Sequence, residues 1–405
     1  MPPRVVIAPD SFKGSLSASG VARALAEGLR EARPDVEPVS VPVADGGEGT
    51  VAAVLARGWR PVTTRVPGPW GDPVAATWAV DPSGATAVVE LAAASGIALP
   101  GPDTTSRPAD GPTRALTATT RGTGALVAAA LDHGCHRVVL AVGGSASTDG
   151  GAGMLSALGV RLLDDRGRPV PDGGAGLETL AGLDLSGLDA RLRPGAGRRV
   201  EVLLAADVDS PLLGDRGAAA VFAPQKGADE ATVARLETAL ARWAEALGAA
   251  VGTPGGTPTG ARDVAGLPGA GAAGGTGYAA LLALGARRVP GVDFVLDLVG
   301  LDDALDRASL VVTGEGRLDR QTLAGKAPLG VLRRARDKGV PVVGVCGSSA
   351  LSAEDARAAG FTAVHALTDL EPDVDRCTAD AAALLRRTGA VVAGHLPRRD
   401  RSVHR

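Results

Sequence analysis

Aromatic side chains are scarce: the 405-residue chain holds four Trp, four Phe and one Tyr, 2% in all. So few rings leave little on which bases could stack, which argues against a nucleic-acid binder. Charge of one sign is also missing. Lys and Arg number 42 against 45 Asp and Glu, a net charge of −3, and without a basic domain or stripe a polyanionic partner is not expected. Only Arg398 to Arg405 is locally basic, and a frayed terminus explains it better than a binding arm. The three cysteines, Cys135, Cys346 and Cys377, are an odd number in a long chain and suit a reducing compartment better than a disulfide framework. No stretch approaches the roughly 18 uninterrupted apolar residues of a membrane span. Met1 to Asp10 contains one Arg and no extended apolar region, so no secretory signal is read. The expectation is a soluble, cytoplasmic protein with neither membrane nor nucleic acid as partner.

What the chain has is glycine. Gly (57) and Pro (28) are abundant, while 45% apolar and 21% charged residues match ordinary soluble globular chains. At roughly 150 residues per domain the length allows two to three domains, and no internal repeat is visible. Val5 to Ala8, ended by Pro9 and Asp10, with Val21, Leu25 and Leu29 at helical spacing after it, reads as strand, loop, helix. Val39 to Val43 reads as a second strand, before a helical run from Val51 to Arg57 stopped by Gly58. From about Val62 to Leu91 the pattern alternates around the turn Asp81-Pro82-Ser83-Gly84, which predicts antiparallel hairpins. A helix over Gly124 to His133 and strands over Arg137 to Val142 and Val202 to Ala206 follow. Val233, Leu236, Leu240, Trp243 and Leu247 line an amphipathic helix that Asp229 can cap. Residues 252–277, rich in Gly, Pro and Thr, read as a functional loop or a mobile connection. Strands at Leu310 to Thr313, Pro341 to Cys346 and Thr362 to Ala366 then alternate with helices. Parallel β/α units at both ends with a mixed region between them predict an α/β protein whose ligands gather at the carboxyl ends of strands.

Polar loops, Gly-containing except for 207–210, recur at those expected strand ends: 10–15, 45–50, 143–151, 207–210 and 314–319, each with an Asp or Glu. Glycine lets backbone N–H groups close around a phosphate, and a helix N-terminus behind the loop adds positive potential. One such loop is most often a tight turn; the whole set points to a converging site for an anionic, metal-bound ligand. Phosphoryl transfer needs cations on the phosphate oxygens, carboxylates for Mg²⁺ and a carboxylate near the acceptor hydroxyl. Asp10, Asp45, Asp149, Asp207, Glu315 and Asp319 can supply carboxylates; Lys13, Lys226 and Lys326, each beside a glycine in a chain poor in lysine, can supply cations. Other motifs fail on context. Gly269-Ala270-Gly271-Ala272-Ala273-Gly274 matches a dinucleotide fingerprint but follows Leu267-Pro268, not a strand, and Gly325-Lys326 lacks the rest of a P-loop. His133, Cys135 and His136 have no partner pair elsewhere for zinc, so capping and packing are expected of them. Gly344 to Ser349 lacks the spacing of a nucleophile elbow.

Together the loops resemble one family, the type-1 glycerate kinases of bacteria. The matching stretches are Ile7 to Ser15, Ala44 to Thr50, Thr120 to Gly124, Gly143 to Ser145 with Thr148 to Gly151, Ala206 to Val208, Gln225 to Ala228, Pro268 to Gly275, and Thr313 to Asp319 running to Gly325 to Pro328. The resemblance implies ATP-dependent phosphorylation of D-glycerate with Mg²⁺ and 2-phosphoglycerate as product; a monomer or a homodimer is expected. It also implies two α/β domains, one inserted in the other, with the active site in the cleft between them. The expected division is a Rossmann-like domain over 1–68 and 290–390, a mixed α/β domain over 69–289, and a basic tail over 391–405, expected to be disordered. On that reading Asp10, Lys13, Asp45 and Asp149 are catalytic. Gly143, Gly144, Ser145, Lys226, Gly314 and Gly316 hold the ATP phosphates, Ser11, Arg317 and Lys326 hold the substrate, and Asp207 and Glu315 hold the metal. Ser147 and Ser210 stand where many relatives have Asn. The open alternatives are another small hydroxy acid as acceptor, the 3-phosphate as product, or a non-catalytic protein that binds a nucleotide or sugar acid.

Overall fold

The computed structural model describes residues 2–100, 111–193, 200–252, 263–320 and 322–396. The chain divides into two compact units: unit 1 comprises Met1–Asp45, Ala52–Arg57 and Val292–Arg405, and unit 2 comprises Gly46–Val51 and Gly58–Gly291. Unit 1 opens with β1 (Arg4–Pro9) and β2 (Glu37–Ser40). Unit 2 holds β3 (Arg60–Pro67), β4 (Pro73–Val80), β5 (Thr86–Glu90), β6 (Arg137–Ala141), β7 (Arg161–Leu163), β8 (Gly182–Asp184), β9 (Glu201–Ala205) and β10 (Arg287–Val289). The chain then returns to unit 1 with β11 (Ala308–Gly314), β12 (Arg317–Leu318), β13 (Val342–Cys346), β14 (Ser348–Ser349) and β15 (Ala363–Ala366).

The main sheet of unit 1 has the order β15-β13-β11-β1-β2 and is parallel throughout. Its strands are apolar on both faces because helices cover both. Val5, Ile7, Leu310, Val312, Val343 and Val345 pack with Val21, Leu25 and Leu29 of the helix Ala18–Ala32 and with Leu384 and Leu385 of the helix Ala381–Val392. On the other face Val6, Ala8, Val311 and Val342 meet Val292, Val295, Val331 and Leu332. The Ser17 hydroxyl caps the first helix, accepting the Gly20 N–H at 3.2 Å. This helix and Ala381–Val392 touch through glycine: a Cβ on Gly28 would collide with the carbonyl of Arg386, and one on Gly389 with that of Leu25. In sequence order the chain lays β2 on one side of β1, then crosses over it to place β11, β13 and β15 on the other. A topological switch point therefore lies between β1 and β11, where open α/β sheets bind ligands.

Unit 2 is built on a six-stranded sheet, β10-β9-β6-β5-β4-β3, in which β5, β6, β9 and β10 run parallel and β3 and β4 add an antiparallel hairpin. The Asp81 carboxylate ties the turn before β5, accepting the N–H groups of Ala85 at 2.7 Å and Thr86 at 3.0 Å. Trp78, Leu126, Leu140, Met154, Trp243 and Tyr278 fill its core.

Three expectations are corrected here. The pairing of β3 with β4, from Arg60 with Val80 to Pro67 with Pro73, puts Gly58 to Gly68 in unit 2, so the first crossing between units precedes residue 68. Within 391–405, Val391 and Val392 end a helix, Ala393–His395 form a turn, and Val392 and Leu396 are buried in unit 1; residues 397–405 lie outside the described residues. Residues 253–262 also lie outside, but Ala272–Ala283 is a buried helix, not a loop. Its Ala and Gly side chains are small enough for its backbone to lie against its neighbours: a Cβ on Gly271 would strike the carbonyl of Pro211, and one on Gly274 that of Ser147.

Candidate active site

Three carboxylates of unit 1 stand at the switch point. Asp10 follows β1 and donates its N–H to the Gly314 carbonyl of β11 at 2.8 Å. Asp45 ends a run beside β1 that is held by Val41 N–H to Ile7 O at 2.8 Å and Val43 N–H to Pro9 O at 3.0 Å. Glu315 follows β11 directly and is buried. Burial, reinforced by the charges of Asp45 and Glu315, pushes the Asp10 carboxyl up to about 7, against the pull of the Ser11 N–H and of Lys13. Ser11 donates that N–H to Asp10 Oδ1 at 2.5 Å, and Lys13 is exposed in the same loop. Glu315 accepts from the buried Thr322 hydroxyl at 2.6 Å and from Lys326 Nζ at 3.2 Å. The Asp319 carboxylate in turn accepts the Thr322 N–H at 3.2 Å, closing a compact loop. Arg317 is exposed and lies 3.7 Å from Asp319. Gly314 is required by packing, since a Cβ there would enter the Val345 carbonyl of β13, whereas one on Gly316 would stand 3.5 Å from the Lys13 nitrogen.

In unit 2 the corresponding loop is Gly143–Gly151, between β6 and the helix Ala152–Ala157. Asp149 is fully buried. Its carboxylate accepts the Thr120 N–H and hydroxyl, both at 2.8 Å, and the N–H groups of Gly151 at 3.1 Å and Gly153 at 3.2 Å. Burial raises its pKa and these bonds oppose the shift. Gly150 and Gly151 are left-handed, at φ 64° and 77°, where a side chain would be strained. Lys226, 8% exposed, donates from Nζ to Ser145 Oγ at 2.9 Å and to the Ser147 carbonyl at 2.5 Å. Burial drags its pKa down to about 7, and Asp149 resists that fall. The Ser147 and Thr148 hydroxyls are buried without a partner, a cost that a packed interior rarely tolerates. Gly143 packs on Gly47, and Gly144, left-handed at φ 74°, faces Glu48. Asp207, at the end of β9, accepts the Gly291 N–H at 2.7 Å.

The residues singled out in the sequence thus fall into two clusters. Asp10, Ser11, Lys13, Asp45, Gly314, Glu315, Gly316, Arg317 and Lys326 belong to unit 1; Gly143, Gly144, Ser145, Asp149, Asp207 and Lys226 belong to unit 2. The two expected metal ligands, Asp207 and Glu315, are in different units, and each already accepts a hydrogen bond. Among the described residues no group of three or more His, Cys, Asp or Glu is arranged to hold a metal ion. His133 ends a helix and meets Trp78 edge-on at 5.5 Å, as capping and packing require. The structure adds Glu90, Thr120 and Thr322. Glu90 ends β5, accepts the Val51 N–H at 2.6 Å, and is pushed to about 7 by burial and by Glu48. A carboxylate ending the short apolar run Ala87-Val88-Val89 was its signal in the sequence.

Two α/β units whose acid- and lysine-bearing loops sit at the carboxyl ends of parallel strands define an α/β enzyme of two clusters. The chain belongs to the Glycerate kinase family, whose sequence pattern matches residues 5–396. It is 44% identical over 352 residues to the Glycerate 2-kinase of Escherichia coli K12, covering 85% of each chain. It is 41% identical over 394 residues to the Glycerate kinase of Bacillus subtilis 168, covering 97% of each. The crystal structure of a protein assigned as glycerate kinase 2 from Salmonella typhimurium LT2 superposes with a TM-score of 0.77 at 40% identity, over 97% of this chain and 99% of that one.

Proposed function

We propose that the protein transfers the γ-phosphoryl group of ATP to the 2-hydroxyl of D-glycerate, with Mg²⁺, as a cytoplasmic enzyme. The observation that carries the reading is the convergence of Asp10, Asp45 and Glu315 with Lys13 and Lys326 at the switch point of a chain whose relatives are named for glycerate phosphorylation. Phosphoryl transfer asks a protein mainly for positioning and charge neutralisation. Mg²⁺ keeps several waters and takes one or two protein carboxylates beside the substrate phosphates. Asp10 and Asp45, whose charges act on each other, fit that demand without a protein cage. An ion there supplies charge neutralisation on the phosphates.

The chain's own groups divide the remaining work. Asp45 orients the acceptor hydroxyl, because Asp149 is fully enclosed by its hydrogen bonds and instead holds the Gly143–Gly151 loop in shape. Lys13, exposed beside Asp10, neutralises the group in transfer. Lys326, kept in place by Glu315, and Arg317 bind the glycerate carboxylate. Lys226 and Ser145, beside the Gly143 and Gly144 backbone, offer an anion a separate set of donors within unit 2. A coupled ADP-release assay with D-glycerate and a panel of small hydroxy acids tests the reading. ADP release with D-glycerate is expected, falling at least about a hundredfold in Lys13→Ala and Asp45→Asn. Binding of glycerate with no ATP consumed would leave a sensor, and wild-type rates in both variants would displace the site.

A further inference from the structure

Unit 1 contains a cavity of about 420 Å³ that none of the groups above uses. It lies along β15 and the helix Ala353–Ala359, and its size falls within the roughly 300 to 1,000 Å³ of small-molecule sites. Leu351, Phe361 and Val364 give it an apolar floor; Arg357, Thr368 and Asp369 stand at its polar rim. The cavity and the Glu315 loop belong to one packed piece. β12 pairs with β14, Leu318 facing Ser349, and Leu318 packs with Cys346 and Ala366 against Leu351 and Val364. The Thr368 N–H closes the arrangement on the Gly347 carbonyl at 3.0 Å.

The rim is chemically unfinished. Arg357 is exposed and makes no ion pair with any described residue, so its planar guanidinium can stack on a flat ring. Asp369 Oδ2 accepts a long bond, 3.4 Å, from the Ala366 N–H, and the carboxylate's charge acts on His365; no hydrogen bond from a described residue reaches its other oxygen. A carboxylate just past a strand end is the arrangement that grips ribose hydroxyls in nucleotide-binding sheets. The position suits the same ligand. β15 is two strands away from β11, roughly 10 Å at the usual strand spacing, a gap that a ribose and its first phosphates can bridge.

We infer that this cavity takes the nucleoside of the phosphate donor, base over Leu351, Phe361 and Val364 and ribose on Asp369, with the phosphates running along the sheet edge toward Glu315 and Asp10. The inference rests on the kinase reading and adds to it the place where the donor is recognised. Its test titrates the full-length protein with ATP and, separately, with inorganic tripolyphosphate, for the wild type, Asp369→Ala and Ala353→Trp, the last narrowing the cavity from an exposed position. Both variants should weaken ATP at least about tenfold and raise KM for ATP in step, leaving tripolyphosphate affinity, KM for D-glycerate and Tm close to wild type. ATP affinity unchanged in both variants, or tripolyphosphate lost in parallel with ATP, would overturn the inference while wild-type turnover leaves the kinase reading standing. A wild type that binds no ATP would overturn both.

Discussion

At the scale of single residues, Asp10 and Lys226 each tie stability to pH. The folded state holds Asp10 near 7 against an ordinary 3.8, so it favours the protonated acid. That contribution to stability is complete below about pH 4 and is lost as the pH rises through 7. Asp10→Asn should therefore raise Tm by a few degrees at pH 8, change it little at pH 5, and abolish most turnover; calorimetry at the two pH values with a coupled assay measures this. A variant less stable at pH 8 would mean that Asp10 is charged and well paired. Lys226 has the opposite shift, from 10.5 down to about 7. Its neutral form is the favoured one, so stability is lost as the pH falls from about 10.5 toward 7. Lys226→Met should flatten the dependence of Tm on pH between 7 and 10, and an unchanged slope would contradict it. Both residues were visible in the sequence because each sits in or beside a glycine-bearing loop. Thr322 was not, and Thr120 stood only within a matching stretch, since a hydroxyl gains its role from the carboxylate that folding brings to it, Asp149 for Thr120 and Glu315 for Thr322.

At the scale of elements, the close approach of Ala18–Ala32 and Ala381–Val392 depends on two missing side chains. Gly389→Val places a branched side chain against the Leu25 carbonyl and should cost about 3 kcal/mol or more. Gly394→Ala, where a Cβ meets open space, should stay within about 0.5 kcal/mol. Urea unfolding of the pair measures the difference, and equal midpoints would show that the two helices can separate freely. Elements with a clear period were legible. β1, β11 and β13 stand where apolar runs predict them, and Asp229 caps its long helix by accepting the Thr232 N–H at 2.8 Å. The helix Ala272–Ala283 was hidden because glycine and alanine carry no periodic signal, and because Ala273, Gly274 and Gly275 turn left-handed at its start. β3 lies in unit 2 and not, as its place before residue 68 suggests, in unit 1, because a hairpin's partner is not written in either strand alone.

At the scale of the molecule, the balanced charge and the scarcity of aromatics pointed away from nucleic acid, and the strand-end loops pointed toward phosphate. The sheet order β15-β13-β11-β1-β2 was not legible, because it depends on which side of β1 each crossover lands. That order makes Asp10 and Glu315 neighbours although they are far apart in the chain. The central claim is that this constellation directs a phosphoryl group to one hydroxyl of a small acid. Phosphorus NMR of the products formed from ATP and D-glycerate tests it most directly. The account predicts 2-phosphoglycerate and ADP in equal amounts; a 3-phosphate, or ATP left intact beside D-glycerate, would contradict it.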